Sequence, residues 1–186
     1  MEEARAFNEI EMHPKKLLLE RETTERLIFR KVKPTDFETW LPFYHDSRST
    51  KYWKGIPADP ETACCEQFDR VFERYEKGLG GMNALISKSD SHLLGLCGLL
   101  VQTVHEVQEL EIGYSILPKY WGHGYATEAA LKCRDYAFAN HLAESLISII
   151  QVDNIPSQKV ATHIGMTLDK TTIYSNNKVH IFRIRP

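Results

Sequence analysis

The sequence predicts an α/β fold of the α+β kind, a single domain with a mixed, mostly antiparallel central sheet of about seven strands flanked by helices. Three observations carry this expectation. Seven segments alternate or run apolar over strand lengths and are bounded by turn residues. They fall in the order strand, two helices, three strands, helix, strand, helix, two strands. The helix in the middle follows a Gly-x-Gly mouth and carries a face of small residues (Ala126, Ala129, Ala130, Cys133, Ala137), so it can lie close against a sheet.

In chain order, residues 1–24 read as an N-terminal extension and 25–186 as the domain. "RLIFRKV" (26–32) alternates as a strand. In "KPTDFETWLPFYHD", Pro34 and Asp36 signal a helix start, and Phe37, Trp40, Leu41 and Tyr44 share a helical face. A loop marked by Gly55, Pro57 and Pro60 leads to a second helix over about 61–77, with Phe68, Val71, Phe72 and Tyr75 inward and Gly78, Gly80 and Gly81 stopping it. Strands follow over 82–89, 93–104 and 109–118, then a helix over 123–140 and a strand over 144–152. A short helix over 156–165 ends at Gly165, and 166–176 and 178–186 pair as a closing hairpin over "SNNK".

Composition narrows the function. The 186 residues suit one domain that buries roughly 70% of its unfolded surface. Hydrophobic residues make up 42%, charged residues 26%, and the formal net charge is -2 with both signs mixed along the chain. No basic stripe suited to duplex nucleic acid occurs. No apolar run approaches the ~20 residues of a membrane span, and the N-terminal segment lacks the apolar centre of a signal peptide. Cys64, Cys65, Cys97 and Cys133 fit neither zinc spacing nor a disulfide scaffold and read as reduced thiols. These features are those expected of a cytoplasmic protein with no metal, no nucleic-acid partner and no membrane.

The informative stretch is "YSILPKYWGHGYATEAALKCR". A helix mouth exposes unpaired N–H groups and roughly half a positive charge, and glycine lets an anion approach bare backbone. A tight turn explains the glycines equally well. A dinucleotide fingerprint is incomplete, because Thr127 fills its third small position, and the Gly-Lys-Ser/Thr of a nucleoside triphosphate loop is absent. Glu128, in the first turn, would repel a phosphate unless it points away. In the preceding strand, Glu109 and Glu111 share one face, a solvent-facing acidic pair or a place for a base. His105 sits at the turn before them.

"EIGYSILPKYWGHGYATEAA", followed by "VDNIPSQKVATHIGM", resembles the GNAT family of acetyl-CoA-dependent N-acetyltransferases, closest to its ribosomal-protein N-terminal acetyltransferase branch. The resemblance covers about 25–186 and is strongest over 109–166. It implies acetyl-CoA as acetyl-donor cosubstrate, with its pyrophosphate on the backbone of Trp121, Gly122, His123, Gly124, Tyr125, Ala126 and Thr127. Trp121 stands where the general motif has Arg or Gln, which removes one phosphate-reaching side chain. The same resemblance implies a strand that splays ahead of the loop, where Ile116 and Leu117 supply backbone to pantetheine. It places Asn154 on the pantetheine arm and Ser157 near the sulfur. Asn154 also reads as a helix cap, and Lys159 as a phosphate contact or a solvated lysine. Ala161 occupies the position where many relatives carry a tyrosine acid, so Ser157 or solvent would protonate the thiolate.

The implied reaction is direct attack of a neutral primary amine on the thioester, with Glu111 as general base and Ser157 as acid. Tyr44, Tyr52 and Trp53 lie in the region that walls the acceptor in the family, or else they are packing. The acceptor is a peptide or protein N-terminus or a small amine such as a polyamine, amino acid or antibiotic. A non-catalytic coenzyme A-binding domain is the alternative from another class. The chain is expected to be a monomer or homodimer.

Overall fold

The structure, a computed structural model, describes residues 17–186. The first strand, β1 (Leu27–Lys31), pairs antiparallel with β2 (Gly80–Ser87). Strands β3 (Leu93–Val104) and β4 (Val107–Ile116) continue the meander antiparallel. β5 (Leu146–Gln151) joins β4 in parallel, and the hairpin of β6 (Thr167–Tyr174) and β7 (Asn177–Ile184) completes a seven-stranded sheet in the order β1-β2-β3-β4-β5-β7-β6. The predicted strand number, the succession of strands along the chain and the mixed character of the sheet are those observed. The "SNNK" turn holds Ser175 and Asn176 at φ of 47° and 58°, the twist that a two-residue hairpin demands.

One predicted helix is broken. Residues 34–50 form a 3-10 turn (Pro34–Asp36) and three short helices, α1 (Phe37–Trp40), α2 (Pro42–His45) and α3 (Ser47–Thr50). Pro42 lacks an N–H and its ring blocks the preceding turn, so the first piece stops at Leu41. The apolar face survives the break. Trp40 is fully buried, stacks on Phe43 at 4.6 Å and donates its indole N–H to Gln67 Oε1 at 2.6 Å. Helix α4 (Pro60–Glu76) begins as its sequence dictates, with Asp59 accepting from the Thr62 N–H. Gly78 follows its end, whereas Gly80 and Gly81 already belong to β2.

Each face of the sheet has its own core. One holds Trp40, Phe43, Ala63, Cys64, Phe68 and Val71 against Ala84, Leu93 and Leu96. The other packs α5 (Tyr125–Ala139) and α6 (Ile155–His163) on Leu85, Cys97, Leu99 and Ile112. Ala129, Ala130, Cys133 and Ala137 are completely buried, so the small-residue face does bring α5 down onto β3 and β4. Cys97 and Cys133 are free thiols with their sulfurs 3.5 Å apart in this layer.

Residues 17–24 were grouped with the extension, yet they are packed. Leu17 and Leu19 are buried in the second core, and Arg21 and Thr23 pair with β1 residues. Two leucines inside a charged run bury apolar area that no periodic pattern announces. The remainder of the predicted extension, residues 1–16, lies outside the described residues.

Candidate active site

The site begins with an interruption in the sheet. β4 and β5 pair only at Leu110–Leu146 and Glu111–Ile147, then diverge. Side chains take the backbone groups that would have closed the next rung. Ser148 Oγ donates to Ile112 O at 2.9 Å, and the Ile149 N–H donates to Glu111 Oε1 at 3.3 Å. With these groups satisfied the strands have no hydrogen-bonding reason to zip further. The gap opens into two connected cavities, of about 530 Å³ on the α4 side and about 560 Å³ on the α5–α6 side. Both are lined by Tyr52, Trp53, Tyr114, Ser115, Asn154 and Ser157.

At the outer end of the α5–α6 cavity lies the glycine mouth. Gly122 and Gly124 both stand at φ of +79°, a conformation that L side chains resist, and nothing lies within 4 Å of a Cβ placed on Gly122. Gly124 is the N-cap of α5 and has no side chain to offer, so the first N–H groups of a 15-residue helix have no cap. Glu128 does point away. Its carboxylate accepts from Thr24 Oγ1, from the Arg26 N–H at 2.9 Å and from Arg26 Nε at 2.6 Å. Burial raises its pKa, but these donors outweigh burial and hold it below the usual value. Arg26 also donates to His123 O at 2.9 Å and lies 4.4 Å from the Tyr125 ring centre, clamping the loop. Arg48, Lys51 and Lys159 line the same cavity, with the Arg48 guanidinium 5.3 Å from the Trp121 ring centre. Arg48 is paired with Asp46, its Nη2 2.6 Å from Oδ2, which leaves Lys51 and Lys159 as the cations open to an anion there.

At the inner end, Tyr114 and Ser157 form a hydroxyl pair. Ser157 Oγ donates to Tyr114 OH at 3.1 Å, and Tyr114 OH donates to Ser157 O at 2.8 Å. Burial raises the Tyr114 pKa well above its ordinary value, so this hydroxyl stays protonated. Through the gap, on the α4 side, is Glu111, with Gln102 Nε2 2.6 Å from its Oε2. Burial pushes the Glu111 carboxyl above the usual carboxylate range, against the pull of Gln102, the Ile149 N–H and Arg74. Tyr174 OH donates to Gln102 Oε1 at 3.2 Å, so β6 reaches the same network.

The structure brings most of the sequence candidates together: Glu111, Tyr52 and Trp53 at the α4 cavity, and Trp121, Gly122, Gly124, Tyr125, Ala126, Thr127, Asn154, Ser157 and Lys159 at the other. His123 contributes its carbonyl to the Arg26 clamp and lines neither cavity. Asn154 does cap α6, its Oδ1 accepting from the Ser157 N–H at 3.2 Å. The remaining candidates fall elsewhere. Tyr44 is core, with its hydroxyl donating to Gln67 Oε1 at 3.0 Å behind Trp53. Glu109 is consumed by a bidentate pair with Arg183 at 2.7 and 2.9 Å. His105 bonds Thr172 outside the site.

Ile116 lines the α5–α6 cavity, but its carbonyl is engaged by Trp121 Nε1 at 2.7 Å, and Leu117 is engaged on both sides, its N–H with Leu94 O and its carbonyl with the Tyr120 N–H. Outward groups alternate along an antiparallel strand, and the carbonyls of Ile112 and Ile116 are both taken. Tyr114, midway between them, is left as the main-chain unit facing the gap. Tyr114, Gln102, Arg74 and Tyr174 escaped sequence reasoning. Only the period-two spacing of Tyr114 from Ile112 and Ile116, which turns it toward α6, could have hinted at the first.

Residues 26–167 match the family described as acetyltransferase (GNAT) domain. The chain belongs to the GNAT acetyltransferase family. Similar proteins cover about three quarters or more of the chain. YkkB of Bacillus subtilis (strain 168) is 29% identical over 161 residues, covering 86% of this chain and 92% of that protein. The N-acetyltransferase p20 of Bacillus licheniformis is 27% identical, over 76% of this chain and 79% of its own length. The crystal structure of an acetyltransferase from Agrobacterium tumefaciens superposes with a TM-score of 0.75 at 25% identity, covering 89% of this chain and 94% of that one. Among the described residues no group of three or more His, Cys, Asp or Glu is placed to hold a metal ion, and no helix is long and apolar enough to cross a membrane.

Proposed function

We propose that this chain is an acetyl-CoA-dependent N-acetyltransferase that moves the acetyl group directly to a primary amine. The observation that carries this reading is the cut through the sheet, which joins an uncapped helix mouth flanked by Lys51 and Lys159 on one side to a half-buried carboxylate on the other. The residues fit a diphosphate-bearing donor: open space over Gly122, unpaired N–H groups over 125–127, and Lys51 and Lys159 around them. The Tyr114 main chain and the Asn154 side chain would hold the pantetheine arm in the gap. The thioester supplies an activated acetyl group.

The amine reaches the gap from the α4 side, past Tyr52 and Trp53. Glu111 accepts the proton that the amine loses as the N–C bond forms and the C–S bond breaks. The Tyr114–Ser157 hydroxyl pair returns a proton to the departing sulfur, a task for which the sequence offered Ser157 or solvent. The Trp-Gly-His-Gly-Tyr-Ala-Thr-Glu string, which resembles the ribosomal-protein N-terminal acetyltransferase branch, supports the mode of holding the donor. A thiol-release assay with acetyl-CoA and a panel of amines and N-terminal peptides tests the proposal. Release that depends on both partners is expected. Saturable acetyl-CoA binding with no release for any amine overturns it in favour of a coenzyme A-binding domain without turnover.

A further inference from the structure

The α4-side cavity has an unusual charge for a chain of net -2. Its charged lining residues are Lys54, Arg70, Arg74 and Glu111, three cations against one carboxylate. Arg74 is held in place. Its Nη2 donates to Leu79 O at 2.9 Å and Val101 O at 2.6 Å. Its Nε is buried and has no hydrogen-bond partner. Arg70 is one helical turn earlier on the same face of α4, and its contact with Glu66 is long, at 3.4 Å, and exposed, so it costs little to give up. Lys54 follows Trp53 in the loop and forms no ion pair among the described residues.

The opposite wall is made of acceptors. Glu111 offers its carboxylate. Asn177 is tied by its Nδ2 to Tyr52 O at 3.0 Å, and its buried Oδ1 has no partner. Arg74 lies close to Glu111 on the sheet, since it bonds Val101 O and the neighbouring Leu100 pairs with Glu111. A cavity lined by three cations and one carboxylate suits a ligand with both charges a short distance apart.

We propose that the acceptor is a small amine that carries a carboxylate within a few bonds of its nitrogen, as a free amino acid does. The carboxylate is read by the free guanidinium fork of Arg70 with Lys54, Arg74 adding its fixed charge behind them, and the nitrogen is taken by Glu111. This rests on the acetyl-transfer reading above and deepens it. A guanidinium presents a planar fork that matches a carboxylate, and a site that leaves such a donor unpaired rejects neutral analogues. Polyamines place a second cation against three others and are excluded as good acceptors.

The test compares matched pairs in the thiol-release assay at saturating acetyl-CoA: each amino acid against its own amide and methyl ester, with ethanolamine phosphate and a neutral N-terminal peptide as further arms. Charge-assisted hydrogen bonds make the acid preferred over the amide by roughly ten- to hundredfold in kcat/KM. The lower basicity of the amide's amine biases the comparison the other way, so such a preference reports recognition. Arg70→Gln should shrink the acid-to-amide ratio toward one, and Arg70→Lys should restore part of it. Arg74 also ties β2 and β3 together, so the test leaves it unmodified. Amides or esters used as well as acids, a peptide used better, or ethanolamine phosphate preferred to every carboxylate overturns the assignment but leaves acetyl transfer intact. Failure of every amine to release thiol overturns the acetyl-transfer reading itself.

Discussion

Glu111 shows how one side chain can serve both structure and chemistry. It lies at the last paired position of β4, accepts from the backbone of β5, and faces the cavity where an amine would lose its proton. Only the ionised form can act as a base. Burial raises its pKa, so activity should fall as pH drops through a value above the ordinary carboxylate range. Glu111→Gln is expected to lower kcat roughly hundredfold or more, keep acetyl-CoA affinity within about twofold, and abolish that acidic limb. Initial rates across pH, with calorimetry for the donor, check this; a variant with the parental rate and profile would remove Glu111 from the mechanism. The period-two reading of "ELEIGY" put Glu111 on a face with Glu109, but could not separate them. What separates them is Arg183, 74 residues from Glu109 in sequence, which takes one carboxylate and leaves the other. The partner of Ser157 was illegible for the same reason, since Tyr114 meets it only because α6 folds back across β4.

At the scale of elements, α5 depends on a contact that local sequence does not announce. Its first turn is anchored to the chain before β1 through Glu128, Thr24 and Arg26. This ion pair is partly buried, with 17% of the Glu128 side chain exposed. The folded-state pKa is depressed, so its contribution is present above the carboxylate's unfolded value and is lost as pH falls through the folded one. Glu128→Gln should cost about 1–2 kcal/mol at neutral pH, and the difference from the parent should vanish in acid. Urea unfolding at the two pH values measures it; an equal gap at both would show that the charge is not what matters. The helix itself was readable from Gly-x-Gly and the alanine face, because these are local causes. Residues 33–46 read as one helix because Phe37, Trp40, Leu41 and Tyr44 keep helical spacing through Pro42, which breaks the hydrogen bonds. Leu17 and Leu19 were missed because burial of two residues in an irregular segment has no period.

Across the whole molecule, the seven strands and their succession along the chain followed from turn chemistry and apolar runs, while the parting of β4 from β5 did not. Strand composition is alike on both sides of the split, so the family resemblance implied the parting and the register of β4 against β5 locates it. Ligand linkage offers a global measurement. A donor that binds the folded chain alone should stabilise it by about 2.7 kcal/mol at a hundredfold excess over Kd, roughly 5–10 °C in Tm. Thermal scans with increasing acetyl-CoA test this, and an unmoved melting curve at millimolar donor would refute the donor site.

The hydroxyl of Ser148 and the carboxylate of Glu111 stand in for the partners that Ile112 and Ile149 would otherwise find in each other. The ladder therefore halts of its own accord, with no bonds waiting to be broken. A guest has nothing to unfasten on arrival, so its entry is governed by diffusion and fit, and the slot keeps its shape between one visitor and the next.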